Sequence, residues 1–235
     1  MARRLIVTAD DFGRSRGVNR GVIEAFENGI VTSASLMVRW RAAPEAAEYA
    51  RRRGELAVGL HVDLGEWRYG DRAWEPVYSV VRTDDADEVE AEVERQLDTF
   101  RKLVGREPTH LDSHQHVHRS DPLRAILSRL AEDLDVPLRA VTPGIHYCGD
   151  FHAQTATGEP VRNGVTVASL LAILAALPHG TTELACHPGR LDDAGSVYGV
   201  ERNREVDTLC DPRVSETLTR EQIVLSSFAD VRLSA

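Results

Sequence analysis

The segment RLIVTADDFG, residues 4–13, joins a short apolar run directly to two adjacent aspartates, Asp10 and Asp11. The apolar run predicts a buried β-strand. Two neighbouring carboxylates repel each other, and removing both from water is costly unless a cation or hydrogen bonds compensate. The pair therefore either lies in solvent as part of a turn or holds a ligand.

Further along the chain, strand-like apolar runs alternate with helical patterns. The first helix is predicted to begin after Ser15, a typical N-cap residue, with an apolar face at Val18, Val22 and Phe26. This alternation favours a mostly parallel sheet and an α/β fold, either a barrel or an open sheet. Seven strands are predicted, at residues 4–9, 31–38, 56–64, 108–114, 136–141, 181–189 and 222–228.

Length and composition limit the class of protein. A chain of 235 residues suits one large domain, residues 1–235, and its net charge of -9 argues against nucleic acid as the main partner. No apolar run is long enough to cross a membrane, and the apolar residues after MARR are too few for a signal peptide, so a cytoplasmic protein is expected. The three cysteines are far apart and form no CxxC motif, so neither a disulfide framework nor a thiolate zinc site is predicted.

Two stretches, residues 65–83 and 142–164, have no clean period. Both contain glycine, proline and aromatic residues. The first is interpreted as a long functional loop or a small insertion, and the second as another irregular connection.

Four predicted strands end in ionisable residues of the kind that bind metals. Because the carboxyl ends of parallel strands meet at one edge of a sheet, these residues are expected to lie together. Six of the nine histidines fall in these segments. The residues are Asp10, Asp11, His61, His110, Asp112, His114, His116, His118 and His187.

Each of these features also has a purely structural explanation. Adjacent aspartates are common in exposed turns and helix caps, a single histidine such as His61 is often a core residue, and the segment HLDSHQHVH (110–118) could be an exposed loop. If that segment is a strand, however, its alternate residues share one face, and burying them without a cation would be costly.

One aspartate with two histidines is a ligand set for Zn²⁺, Mn²⁺, Fe²⁺ or Co²⁺ that leaves positions open for water. A metal in such an open site lowers the pKa of bound water and polarises a carbonyl. The remaining carboxylate can accept a proton from that water, and a histidine on the opposite side can protonate a leaving group. The pattern therefore indicates metal-assisted hydrolysis.

Five motifs resemble the YdjC/ChbG family of carbohydrate deacetylases, and the similarity runs in order from Arg4 to the last predicted strand. The motifs are ADDFG (9–13), GVNRGVIEAFENGIVTSASLMV (17–38), GLHVDL (59–64), PTHLDSHQHVH (108–118) and CHPG (186–189). The resemblance implies a polysaccharide-deacetylase-like (β/α) barrel, irregular and usually seven-stranded. It also implies a divalent metal ion, Mg²⁺ or Zn²⁺ with Mn²⁺ and Co²⁺ as alternatives, and an N-acetylated amino sugar as substrate.

The same resemblance assigns roles by motif. It makes Asp11, His61 and His114 the metal ligands, Asp10 the catalytic base and His187 the catalytic acid. Arg139, in VPLRAV (136–141), resembles a family arginine near the base. The roles of His116 and His118 stay open between orienting the ligands and contacting the substrate.

This chain also departs from the family pattern. Asp63 stands where many relatives carry a small polar residue, and residues 65–83 are a shorter stretch than relatives often have. A smaller substrate or a specialised amino sugar is therefore an alternative to a chito-oligosaccharide. The aromatic residues Trp67, Tyr69 and Trp74 could stack on a sugar, form a lid or make a subunit contact.

Two other functions remain open. One is a metal-dependent hydrolase of a different amide or ester, including a phosphoesterase, on the same scaffold. The other is a non-catalytic descendant of the family that binds sugar without turnover. The complete set of ligands, acid and base argues against this second alternative. A homodimer is common among similar proteins, although the sequence identifies no interface.

Overall fold

The apolar run of residues 4–9 belongs to the central strand of the molecule. The computed structural model describes residues 2–70, 72–155, 157–159, 161–190 and 199–233. Within these ranges the strands are β1 (Arg3–Phe12), β2 (Ser33–Leu36), β3 (Ala57–Val62), β4 (Gly65–Gly70), β5 (Ala73–Ser79), β6 (Leu111–Ser113), β7 (Ile145–Cys148), β8 (Gly180–Cys186) and β9 (Ile223–Ser226). The helices are α1 (Arg16–Asn28), α2 (Ala43–Arg52), α3 (Ala86–Val104), α4 (Leu123–Leu134), α5 (Val167–Ala176), α6 (Val200–Leu209) and α7 (Pro212–Arg220).

Seven strands form one curled parallel sheet in the order β6-β3-β2-β1-β8-β7, with β9 paired to the first half of β1. This confirms the predicted α/β class and the count of seven strands. Among the described residues no ladder joins β6 to β7, so the sheet is a half-barrel that stays open on one side. Its strands all end at the same edge, where the polar motifs lie.

One of the predicted strands is wrong, and another strand replaces it. Residues 136–141 contribute only an isolated bridge between Leu138 and Leu111. Pro137 has no N–H to donate to a ladder, and Ala140 has a φ of 56°, which turns the chain out of extended geometry. The seventh strand is β7, which lies in the stretch that was predicted to be irregular.

The stretch from residue 65 to residue 83 contains an antiparallel hairpin of β4 and β5, separate from the main sheet. Its base is at Gly65, whose φ of 147° is accessible to glycine. A Cβ at this position would also lie 3.0 Å from Cη2 of Trp67, so the indole packs across the bare backbone. Hereafter these two strands are called the hairpin.

The helices cover the outside of the sheet, and their ends follow the sequence signals. Ser15 caps α1 by accepting a hydrogen bond from the Val18 amide at 3.1 Å, as predicted. Gly105 ends α3 in the left-handed conformation with a φ of 77°. No described helix is long and apolar enough to cross a membrane.

Candidate active site

The two aspartates at the end of β1 are both buried, with exposed fractions of 2% for Asp10 and 1% for Asp11. In a regular strand, neighbouring side chains point to opposite faces of the sheet. Asp11 breaks this alternation because its φ is 65°, a left-handed conformation that costs a residue other than glycine about 1–2 kcal/mol. As a result, both carboxylates contact groups at the same edge of the sheet.

Asp11 lies between two of the predicted ligands. Its Oδ1 is 3.1 Å from Nδ1 of His114 and 3.6 Å from Nε2 of His61. The three side chains each offer one ligand atom, and these atoms lie within 4.8 Å of one another. The sequence-predicted ligands are thus brought together from β1, β3 and the turn after β6.

The unsatisfied oxygen of Asp11 is a further sign of a cation site. Although His114 is close, Oδ1 has no hydrogen-bond partner of good geometry among the described residues. Its other oxygen accepts a hydrogen bond from Nη2 of Arg202. Burial alone would raise the pKa of Asp11, but the charges of Arg202 and His114 hold it well below its usual range, so the carboxylate is ionised.

His61 is oriented by a second carboxylate. Its Nδ1 lies 2.8 Å from Oδ1 of Asp112, which itself accepts a hydrogen bond from Ser35 at Oδ2 over 2.7 Å. With Nδ1 as the donor, Nε2 faces Asp11 as a potential ligand atom. Burial would lower the pKa of His61, but Asp112, Asp10 and Asp11 raise it to about 9, so the ring carries a proton at neutral pH.

Arg139 forms a buried ion pair with Asp10. Nη1 and Nη2 lie 2.7 and 2.8 Å from the two oxygens of Asp10, in bidentate geometry. Burial would raise the pKa of Asp10, and Arg139 lowers it below the ordinary value. Asp10 is therefore an ionised carboxylate held in a fixed orientation, and the predicted proximity of Arg139 to it is present in the structure.

More acidic than basic groups surround this arginine. Arg139 also lies 2.8 Å from Asp112 Oδ2 and 2.8 Å from Glu183 Oε1. Burial raises the pKa of Glu183, and its Oε2 has no hydrogen-bond partner among the described residues. An additional positive charge at this edge of the sheet would relieve the excess of carboxylates.

His187 follows β8, which lies on the other side of β1 in the sheet from β3 and β6. Its Nε2 is 3.8 Å from Oδ2 of Asp10, and its ring packs edge-on against His152 with centroids 5.0 Å apart. The side chain is 21% exposed, so solvent reaches it. Burial and the neighbouring His152 lower the pKa of His187 to about 3, and the imidazole is neutral at neutral pH.

The segment HLDSHQHVH does not continue as a strand, so its histidines do not share one face. β6 ends at Ser113, and His114–Arg119 form a 3₁₀ turn in which Gln115 and His116 have φ values of 49° and 54°. Only His114 joins the ligand cluster, whereas His116 pairs with the Tyr147 hydroxyl at 3.0 Å.

Two further histidines of this segment make contacts outside the ligand cluster. His118 contacts Ser113 Oγ at 2.7 Å and the Arg139 carbonyl oxygen at 3.1 Å, which fixes the turn beside the arginine. His110 stacks on Phe228 with ring centroids 4.0 Å apart. Burial lowers the pKa of His110 to about 3, so it is a neutral core residue.

Three charged residues at the site were not predicted from the sequence: Glu183, Arg202 and Arg14. Glu183 could have been noticed as a charged residue inside the apolar strand TTELAC. Arg202 lies in a polar helix without any local signal, and its contact with Asp11 spans 191 positions. Arg14 contacts His114 Nε2 at 3.4 Å and Glu66 Oε2 at 2.6 Å, which links the ligand to the hairpin.

Comparisons with known proteins cover nearly the whole chain. The profile of the YdjC-like protein family matches residues 4–220. A carbohydrate deacetylase of Geobacillus stearothermophilus is 33% identical, covering 98% of this chain and 98% of that protein. A chitooligosaccharide deacetylase of Citrobacter koseri is 34% identical, covering 98% of this chain and 100% of that protein.

Solved structures confirm the fold. A proposed cellobiose-phosphate cleavage protein of Enterococcus faecalis V583 superimposes with a TM-score of 0.78 at 25% identity, over 99% of this chain and 100% of that one. A family 4 carbohydrate esterase of Streptomyces lividans superimposes with a TM-score of 0.59 at 12% identity, covering 99% and 97% of the two chains. The half-barrel therefore has the polysaccharide-deacetylase-like architecture that the sequence predicted.

Proposed function

This chain belongs to the YdjC-like family, and from that premise we propose that it is a metal-dependent carbohydrate deacetylase. The proposed reaction removes an N-acetyl group from an amino sugar or a short amino-sugar oligosaccharide. The observation that carries the proposal is the grouping of Asp11, His61 and His114 beside a separate buried carboxylate, Asp10. The names of the relatives from Geobacillus and Citrobacter support the choice of an acetylated sugar as substrate.

The ligand cluster fits a divalent cation on two grounds. Its donor atoms converge, and Oδ1 of Asp11 lacks a hydrogen-bond partner among the described residues. Two imidazoles and one carboxylate favour Zn²⁺, Mn²⁺ or Co²⁺, whereas Mg²⁺ prefers oxygen ligands. When bound, the ion would lower the pKa of a water molecule and polarise the acetamide carbonyl.

Asp10 is the proposed general base. It is ionised, and Arg139 fixes both of its oxygens, so it can accept a proton without first reorienting. As the water oxygen bonds to the acetamide carbon, its proton passes to Asp10. Arg139 then remains beside a neutral carboxylic acid, and its charge is still shared with Asp112 and Glu183.

His187 is the proposed general acid. Because its pKa is lowered to about 3, the proton that it donates must arrive during the reaction. Asp10 Oδ2, at 3.8 Å, is close enough to supply that proton after a small shift of either side chain. The C–N bond then breaks, the sugar nitrogen takes the proton from His187, and acetate and the free amine leave.

Acetate release tests this function. Metal-stripped protein would be incubated with N-acetylglucosamine, its β-linked dimer and trimer, and N-acetylated non-sugar amides, with each candidate metal added back. We expect metal-dependent acetate release from at least one sugar. Release only from the non-sugar amides, or no release while the metal is tightly bound, would overturn the sugar assignment.

A further inference from the structure

The turn that follows His114 holds two consecutive residues in left-handed backbone conformation. Gln115 has a φ of 49° and His116 a φ of 54°, a region that side-chain-bearing residues adopt only under constraint. Backbone strain of this kind persists where surrounding contacts over-determine it, and it is concentrated at functional sites. The contacts of the two side chains therefore indicate what this backbone conformation serves.

Gln115 uses its whole amide group to hold one residue of the hairpin. The Trp67 N–H donates to Gln115 Oε1 at 2.8 Å, and Gln115 Nε2 donates to the Trp67 carbonyl oxygen at 2.7 Å. A neighbouring strand would make the same pair of bonds with the edge of β4. The glutamine thus joins the hairpin to the turn that carries the ligand His114.

Further contacts fix the base of the hairpin beside the turn that carries His114. Glu66 forms a 2.6 Å ion pair with Arg14, which also contacts His114 Nε2. Asp63 accepts hydrogen bonds from the Gly65 amide at 3.1 Å and from the Tyr78 hydroxyl at 2.9 Å. The hairpin base is therefore a fixed structure that stands directly beside the ligand cluster.

The residue that Gln115 holds has the chemistry of a sugar-binding residue. Trp67 is only partly buried, and its indole packs across the bare backbone of Gly65. An indole offers an apolar face for the C–H groups of a sugar and a polar N–H at its edge.

We propose that Gln115 is a positioning residue whose paired hydrogen bonds to Trp67 hold the hairpin as one wall of the substrate cleft, against which a sugar ring of the substrate binds. This inference rests on the proposed function and adds a residue and a surface to it. The left-handed conformation of Gln115 is the backbone geometry that directs its amide to the edge of β4. The two hydrogen bonds to Trp67 fix the position of the hairpin before the substrate binds. The hairpin then loses less conformational entropy on binding.

The test uses two matched substitutions. Gln115→Gly keeps the left-handed backbone available and removes the paired hydrogen bonds. Gln222→Gly is the control, because Gln222 is also an exposed glutamine in left-handed conformation, with a φ of 54°, at the junction between α7 and β9. Each variant is compared with the wild type for amide exchange at Trp67, affinity for Zn²⁺, and kcat and KM.

In Gln115→Gly we expect the Trp67 amide to exchange about tenfold faster or more, because its acceptor is lost. The KM for the acetylated sugar should rise about tenfold with kcat changed less than threefold, which marks a loss of binding rather than of chemistry. The affinity for Zn²⁺ should stay within about threefold of the wild type, since His114 is unchanged. Gln222→Gly should leave all four quantities as in the wild type.

Unchanged exchange at Trp67 in Gln115→Gly would overturn the proposal, and so would faster exchange with an unchanged KM. A wild-type protein that releases no acetate would instead refute the proposed function. The exchange comparison needs no substrate, so it still decides the positioning role in that case. Faster exchange confined to Gln115→Gly would support that role, and equal exchange in both variants would refute it.

Discussion

His61 and Asp112 are joined by a 2.8 Å contact between Nδ1 and Oδ1, with both side chains almost fully buried. In the neutral ring that a metal requires, the contact keeps the hydrogen on Nδ1 and leaves Nε2 directed at Asp11. A carboxylate in this position makes the imidazole a stronger ligand and prevents its rotation. The orientation of His61 in the proposed metal site therefore depends on Asp112, which is not one of the three proposed ligands.

Asp112→Asn should weaken metal binding. The amide carries no charge, so His61 loses its carboxylate partner, and the affinity for the metal should fall about 10- to 100-fold. Isothermal titration calorimetry of metal-stripped protein measures this directly. Ser35→Ala is the matched comparison, since it keeps the Asp112 carboxylate beside His61 and removes only the hydroxyl contacts to Asp112 Oδ2 and His110 Nε2, so its effect should be smaller. Equal affinities for Asp112→Asn and the wild type would contradict the orienting role.

Metal binding should release a proton from His61. In the metal-free protein the pKa of His61 is raised to about 9, above the ordinary value of 6.5, so the ring is protonated between these pH values. The bound proton stabilises the metal-free fold fully below pH 6.5, and this contribution is lost as the pH rises through about 9. A ligand imidazole must be neutral.

The affinity for the metal should therefore increase with pH and level off above about 9. Calorimetry at pH 7.5 in buffers of different ionisation enthalpy should report the uptake of about one proton by the buffer for each bound ion. An affinity that does not change between pH 7 and 9, with no buffer dependence of the heat, would contradict a protonated His61.

Asp10→Asn should separate chemistry from metal binding. The amide cannot accept the proton of the attacking water, and removal of a general base lowers the rate about 10²- to 10⁴-fold. The metal affinity should be nearly unchanged, because Asp10 is not one of the three proposed ligands. Acetate release and metal content would be measured on the same sample. Activity close to that of the wild type would show that Asp10 is not the base.

His187→Ala should slow amides more than activated esters. A sugar amine needs a proton to leave, whereas p-nitrophenolate leaves without one, so the loss of a general acid affects only the first substrate strongly. We expect kcat to fall about 10²-fold or more on the acetylated sugar and only slightly on p-nitrophenyl acetate. A similar loss on both substrates would indicate that His187 positions other groups rather than donating a proton.

Arg139→Met should destabilise the protein strongly. The substitution leaves Asp10, Asp112 and Glu183 without their shared buried guanidinium, and breaking such a pair costs about 3–5 kcal/mol. Urea denaturation of the metal-free protein measures the change. Arg129→Met is the control, because its ion pair with Glu90 is exposed and contributes about 1 kcal/mol at most. A similar change in both variants would contradict the importance of the buried cluster.

Strand order alone predicted that Asp11, His61 and His114 would lie at one edge of the sheet with six other ionisable residues, because parallel strands end at a common edge. The resemblance to the family then selected these three as the ligands. The strand at residues 4–9 was predicted from its apolar run, and the helix after Ser15 from its apolar face and its N-cap residue. The strand predicted at residues 136–141 failed because Pro137 and the left-handed Ala140 interrupt an otherwise apolar run.

Other features depend on contacts between residues far apart in the chain. The left-handed conformation of Asp11 and the turn after His114 have no local composition signal, because neither contains a glycine at the residue concerned. Arg202 reaches Asp11 from a helix almost at the other end of the chain. The hairpin was not predicted because most of its residues are exposed, so their pattern lacks the apolar alternation of a half-buried strand.

The most direct test of the account is a titration of metal-stripped protein with Zn²⁺ or Mn²⁺ while acetate release from an N-acetylated sugar is followed. Activity should rise in proportion to bound metal and saturate at about one ion per chain. His61→Ala should lose both the bound ion and the activity. Full activity in the metal-free protein, or in His61→Ala without bound metal, would contradict it.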